Sequence, residues 1–251
     1  MEETKEKFVI VTGAAGAIGA SIATKFLDCG IGVLAIDKLL PSEDLHPRVV
    51  FFQCDLEQVG LCSEKADRLY QEVAEVIGEG SLVGLINNAA IQDLAPTASI
   101  TRGSWSKTLN VNLGAPLFLT QLFLSDLKAS KGSVVNIGSI HARSTKPGFV
   151  AYAASKAGLA GLTRGMAIDL AGSVVVNCIE PAAVDTEMLR AGFSGDHESF
   201  DRLAECHPSS RIGTTQEVAE LAYFLTITPG FINGAAVGAD GGIAARLHDP
   251  L

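Results

Sequence analysis

Unbroken apolar runs recur along the chain and alternate with stretches whose apolar residues lie three and four apart. Phe8–Val11, Gly32–Ile36, Val49–Phe52, Leu82–Ile86, Ser133–Ile137 and Val174–Ile179 read as strands, with Ala235–Val237 as a last short one. Helices are predicted over 18–28, 62–78, 102–129, 150–171 and 215–226. A strand that is apolar on both of its faces must be covered on both sides. Strands of that kind separated by helices require crossover connections. The prediction is an α/β, doubly wound parallel sheet in one domain spanning 1–251. Residues 187–212 show no clear period, and a segment of that length inside a compact domain reads as a substrate lid.

Composition narrows the partners. The 251 residues are 47% apolar and 19% charged, with a mean hydropathy of +0.30, which describes a packed domain rather than a disordered chain. Nineteen Lys+Arg against 28 Asp+Glu leave a net charge of −9, which repels phosphate backbones and anionic lipid. Neither nucleic acid nor membrane is therefore expected as a partner. No run offers the ~20 glycine-poor apolar residues of a membrane span. The start, Met1 to Lys7, lacks the net positive charge of a secretory leader. Five cysteines form an odd set without a Cys-x-x-Cys pair, so neither a disulfide framework nor a metal site is expected. Free thiols in a cytoplasmic protein is the resulting expectation.

The glycines cluster where the first strand ends. Thr12-Gly13-Ala14-Ala15-Gly16-Ala17-Ile18-Gly19 links that strand to the first helix. Small side chains there let the backbone approach a pyrophosphate, which free N–H groups and the helix dipole favour. A purely structural turn would use the same glycines. Asp37 ends the second strand, 18 residues after Gly19, where a carboxylate can take both hydroxyls of an adenosine ribose. It would repel a 2′-phosphate, and no arginine adjoins it, so NAD is expected over NADP although Lys38 is next door. Asp37 could also be an ordinary strand-end turn residue.

Tyr152 and Lys156 stand four apart, which on a helix places both on one face with only small residues between them. A phenol with a pKa of ~10 exchanges protons near neutrality only if a cation stabilises its anion. An exposed i,i+4 pair on a solvated helix has the same spacing. Ser139 ends the fifth strand, on the edge of a parallel sheet that faces the ligand crevice, where its hydroxyl can polarise a substrate oxygen or merely cap a turn. No acyl-transfer triad or Gly-x-Ser-x-Gly elbow surrounds it.

Together these residues resemble the compact, single-domain branch of the short-chain dehydrogenase/reductase family. The likeness runs from Thr12-Gly13 through Asp55, Asn87-Asn88-Ala89-Ala90, Asn112, Ser139, Tyr152-x-x-x-Lys156 and Pro181 to Asp240-Gly241-Gly242. It implies a Rossmann-type fold and a nicotinamide cofactor. Tyr152 would be the general acid/base, Lys156 would lower its pKa and hold the nicotinamide ribose, and Ser139 would bind the reacting oxygen. Asn112 would complete a proton relay through water. Gly13, Ala15, Gly16, Ala17 and Ile18 would line the pyrophosphate, with Asp55 and Leu56 at the adenine. Asn88, Ala89 and Ala90 would border the cofactor, and Pro181, Val184 and Thr186 its carboxamide end. The chain departs from the family at Ala17, Ala90 and Ala182, each standing where glycine is usual. The resemblance also implies a homotetramer or dimer paired through the helices at 102–129 and 150–171.

The reaction implied is hydride exchange between nicotinamide and a secondary alcohol or ketone of a small polar substrate, such as a sugar, sugar acid or hydroxy acid. His141, two residues past Ser139, either flanks that substrate or is a bystander. Arg190, His197, Arg202, His207 and Arg211 could offer cations to it, but Asp196, Glu198, Asp201 and Glu205 are interspersed, which favours plain solvated charges. Two other functions fit the same residues: an NAD-binding regulatory protein without turnover, and a sugar-nucleotide epimerase of the family's extended branch.

Overall fold

The computed structural model describes residues 5–40, 46, 49–193 and 196–247. Residues 1–4, read above for targeting, and residues 194 and 195 of the 187–212 segment lie outside the described residues, as does the side chain of His197.

In chain order the elements are β1 (Lys7–Thr12), α1 (Ala17–Asp28), β2 (Gly32–Asp37), β3 (Val49–Gln53), α2 (Leu56–Val59), α3 (Ser63–Ile77) and β4 (Ser81–Asn87). There follow α4 (Arg102–Leu109), α5 (Ala115–Leu122), α6 (Leu124–Ser130), β5 (Ser133–Ile137), α7 (Val150–Asp169) and β6 (Val175–Pro181). The chain continues with α8 (Glu187–Ala191), α9 (His197–Glu205), α10 (Thr215–Ile227) and β7 (Ala236–Ala239). The strands form one parallel sheet in the order β3-β2-β1-β4-β5-β6-β7. This is the Rossmann-type doubly wound architecture that the apolar runs require.

Alternation along each strand divides the core between the two faces of the sheet. Ile10, Leu34, Leu85, Val134 and Val176 point to one face, against Leu69 and Val73 of α3, Leu119 of α5 and Met166 of α7. Val9, Val11, Val33, Ile86, Val135 and Ile179 point to the other, against Ile22 and Phe26 of α1 and Val218, Ala222 and Leu225 of α10. Burial on both sides explains why the strands read as continuous apolar runs rather than alternating ones.

Two segments differ from the sequence reading. The helical stretch expected over 102–129 is broken into α4, a wide π-turn at Asn110–Gly114, α5 and α6. Pro116, in the first turn of α5, has no N–H to give the Asn112 carbonyl four residues back, and its ring crowds that carbonyl. The 187–212 segment is not a structureless loop, since it contains α8 and α9. Asp196 caps α9 by accepting from the Ser199 N–H at 3.0 Å, and Phe193 and Phe200 meet edge to face at 5.5 Å. Helices this short repeat their apolar positions too few times to show a period.

The strand order reverses between β1 and β4, and there the two strand ends are stitched together. The Thr12 hydroxyl accepts from the N–H groups of Asn88 (2.9 Å) and Ala89 (3.0 Å), while Asn88 Nδ2 donates to the carbonyls of Thr12 (3.0 Å) and Gly13 (3.1 Å). Thr12→Val strips two backbone donors of their acceptor and should destabilise the protein by about 1–3 kcal/mol. Thr12→Ser should recover most of that loss; urea denaturation of both variants checks it.

Candidate active site

The crevice at a strand-order reversal is where open parallel sheets bind ligands. Gly13 turns the chain out of β1 with φ +66°, the left-handed region that favours glycine. A Cβ at Gly13 would lie 2.8 Å from Ala89 Cα, and one at Gly19 would collide with the Gly13 carbonyl. Thus the turn has no room for side chains at Gly13 and Gly19, and the N-terminus of α1 opens onto it from Gly16. Ala15, Gly16, Ala17 and Ile18 follow on the same turn. Asp37 lies beside it, each carboxylate oxygen accepting one backbone N–H at 3.1 Å, Oδ2 from Ala15 and Oδ1 from Leu39. Each oxygen keeps capacity for a second donor. A cradle of glycines and alanines next to a fixed carboxylate fits the pyrophosphate and ribose of a dinucleotide.

Other expected cofactor residues also sit at the carboxyl ends of strands. Asp55 follows β3 and caps α2 through the Glu57 N–H, while Leu56 is buried in the core. Asn88, Ala89 and Ala90 follow β4, but the Asn88 side chain is committed to the stitch with Thr12. Pro181 ends β6, and Val184 is buried and bridged to Gly213. The Thr186 hydroxyl accepts from the Leu189 N–H at 3.1 Å and so caps α8.

Ser139, Tyr152 and Lys156 come together between β5 and α7. Ser139 opens a 3-10 turn at Ile140–Ala142, and its Oγ accepts from the His141 N–H at 3.2 Å. Lys156 is buried to 2% exposure, donates to the Ile137 carbonyl at 2.7 Å and lies 5.6 Å from the centre of the Tyr152 ring. Burial lowers its pKa to about 8, opposed only in part by the neighbouring Cys178. Burial also pushes the Tyr152 phenol above its ordinary value, opposed by a hydrogen bond with Ser139. The expected lowering of the phenol by Lys156 is thus not a property of the protein alone.

Asn112 occupies the π-turn. Its Oδ1 accepts from the Ile91 N–H (2.8 Å), and its Nδ2 donates to the Ile91 carbonyl (2.9 Å) and to Ser155 Oγ (3.0 Å). Ser155, from the face of α7 that carries Tyr152, was not singled out in the sequence. His141 stacks flat on Phe149 at 4.3 Å and meets the Tyr152 ring edge-on at 5.6 Å. Burial first, and then the Lys146 charge, lowers its pKa. The cations of 187–212 largely serve the chain itself. Arg190 pairs with Asp185 at 2.6 Å, Arg211 pairs with Glu217 at 2.6 Å, and buried His207 faces the Leu203 carbonyl at 2.9 Å.

Lys156 sets a pH dependence of stability. It is charged in the unfolded chain up to pH 10.5, but in the folded protein only up to about pH 8. Between those values the unfolded chain holds the extra proton, so stability rises with pH there, and below about pH 8 the burial cost is full. Lys156→Met, measured without added cofactor, should be more stable than wild type at pH 7 by roughly 1–3 kcal/mol after losing the bond to Ile137. That advantage should shrink by pH 9.5, as urea titrations at the two pH values would register.

Comparisons with known proteins identify the family and the fold. The family model described as short chain dehydrogenase matches residues 7–196. D-threitol dehydrogenase of Mycolicibacterium smegmatis is 31% identical over 251 residues, covering 96% of this chain and 94% of that protein. Among solved structures, aldohexose dehydrogenase of Thermoplasma acidophilum in ligand-free form superposes with a TM-score of 0.90 at 28% identity, covering 99% and 98% of the two chains. ElxO with NADP bound gives 0.85 at 26% identity, covering 96% of this chain and all of that one. With a doubly wound sheet, Ser139, Tyr152 and Lys156 gathered near its reversal point, and the family match over residues 7–196, this chain belongs to the short-chain dehydrogenase/reductase family of oxidoreductases.

Proposed function

We propose that the protein is an NAD-dependent dehydrogenase that interconverts a secondary alcohol and a ketone on a small polyhydroxylated substrate. The observation that carries this reading is the convergence of Ser139, Tyr152 and buried Lys156 beside the crevice. Bound nicotinamide supplies the hydride-exchanging carbon. Gly13 through Ile18 hold the pyrophosphate, Asp37 the adenosine ribose and Lys156 the nicotinamide ribose. Asp55 and Leu56 meet the adenine, Asn88 to Ala90 border the cofactor, and Pro181, Val184 and Thr186 take the carboxamide end. The methyl groups of Ala17, Ala90 and Ala182 tighten that site.

Ser139 holds the substrate oxygen, and Tyr152 takes its proton during oxidation. The Lys156 ammonium, costly when buried alone, is relieved as the phenol becomes an anion, so each group favours the charged form of the other. Asn112 completes a proton relay through water. Its amide is engaged by Ile91 and Ser155, while Pro116 withholds the usual donor from its carbonyl, so the backbone is the relay's contact. His141 flanks the substrate, and α8 and α9 of the 187–212 segment cover it as a lid. Sugar-type substrates are supported by the names of two relatives, one acting on threitol and one on aldohexoses.

NAD is favoured because the Asp37 carboxylate, held beside the cradle by two backbone N–H groups, would repel a 2′-phosphate. The free thiols of Cys29, Cys54, Cys62, Cys178 and Cys206 are consistent with a cytoplasmic enzyme. Exposed apolar side chains on α4, α5 and α7, including Trp105, Phe118 and Ile168, support pairing into a dimer or tetramer.

A panel of polyols and aldoses assayed with NAD and NADP in parallel tests the reading. The expected result is turnover with at least tenfold preference for NAD, about 1.4 kcal/mol. Tyr152→Phe should lower kcat by roughly 10²–10⁴ without weakening NADH binding. NADH binding with no turnover would instead mark a regulatory protein, and NAD retained through purification with no net NADH release an epimerase. Preference for NADP would overturn the role given to Asp37.

A further inference from the structure

Glu180, near the end of β6, is 1% exposed, and its Oε2 lies 2.6 Å from Nη2 of the half-exposed Arg143. A carboxylate withdrawn from water to this degree needs a counter-charge. The contact lacks hydrogen-bond alignment, so charge rather than direction holds the pair together. Neither residue belongs to the cofactor turn or to the Ser139, Tyr152 and Lys156 group.

Their positions in the chain give the pair its use. Gly138 donates to the Ile179 carbonyl at 2.7 Å, tying the start of the Ser139 turn to β6. Arg143 closes the same turn, its N–H donating to the Ile140 carbonyl at 3.0 Å, while Ala142 donates to the Ser139 carbonyl at 2.9 Å. The ion pair ties that closing end to the next residue of β6. Ser139 and His141 therefore sit on a turn pinned at both ends to one strand. The fit is close, since a Cβ at Gly138 would fall 2.6 Å from Cys178 Sγ and 3.3 Å from Glu180 Cγ.

We infer that Arg143 and Glu180 are positioning residues, a buried-acid anchor that holds the Ser139 turn at the depth where its hydroxyl meets Tyr152. The inference rests on the roles proposed for Ser139 and Tyr152.

The test compares Arg143→Met, Arg143→Lys and the doubly neutral Arg143→Met/Glu180→Gln. Arg143→Met leaves a buried carboxylate unpaired, so both its Tm and its kcat should fall, kcat by tenfold or more, with the KM for NAD within twofold of wild type. Arg143→Lys restores the charge and should return kcat to within about fivefold, as a non-directional pair allows. The doubly neutral variant removes the unpaired charge, so its Tm should recover while its kcat stays low. Recovery of kcat together with Tm would reduce the pair to a stability element and overturn the inference.

Hydrogen exchange supplies a readout that needs no turnover. The amides of residues 141–143 should exchange faster in Arg143→Met and in the doubly neutral variant, with the rest of the sheet unchanged, and slow again in Arg143→Lys. Unchanged exchange at those amides in Arg143→Met would overturn the anchor even if no substrate had been found. Slower kcat without a change in those amides would likewise count against it.

Discussion

The site depends on the stitch between β1 and β4. Where the order of a parallel sheet reverses, neighbouring strands must diverge at their carboxyl ends, and the backbone groups exposed by that divergence need partners. One hydroxyl and one amide supply them. Thr12 receives two N–H groups and Asn88 satisfies two carbonyls, so the ends of β1 and β4 stay in register while the chains leave in different directions. The cradle at Gly13, the carboxylate of Asp37 and the wall at Ala89 take their relative places from it. The family's Asn-Asn-Ala element therefore has a structural use before any ligand is considered.

Beyond the stitch, the electrostatics are arranged around two groups that are each uncomfortable alone. Burial disfavours the ammonium of Lys156 and the anion of Tyr152, moving one pKa down and the other up. Both shifts favour the neutral form of the group, and an opposite charge placed beside either would offset them. Phe149 and His141 form an aromatic wall beside the phenol, with Lys146 on the far face of the Phe149 ring. Stacking on Phe149 helps to bury His141, and that burial together with the Lys146 charge lowers the His141 pKa.

Much of this was legible in the chain because it is local. The strands end at Asp37, Asn87 and Ile137, close to where the apolar runs stop, and Tyr152 and Lys156 share a face because four residues is one helical turn. What escaped reading depends on distant partners. Ser155 looks like a small spacer until Asn112, 43 residues earlier, bonds to it. Glu180 and Arg143 are ordinary charges in the sequence, and only the pairing of β5 with β6 brings them together. The break at Asn110–Gly114 had a local signal in Pro116, outweighed by the apolar spacing around it. Short α8 and α9 had no signal of adequate length.

That wide turn carries one more consequence. A π-turn accommodates an additional residue within a helix, so the segments on either side differ in facing by about 100° from a regular α-helix. Leu119 and Phe123 thereby reach the buried layer over the sheet, while Asn112 rotates toward Ile91 and α7. A regular helix would have to choose between filling the interior and turning Asn112 toward Ile91 and Ser155. The defect lets a single stretch of chain meet both demands, whose angular requirements are otherwise incompatible.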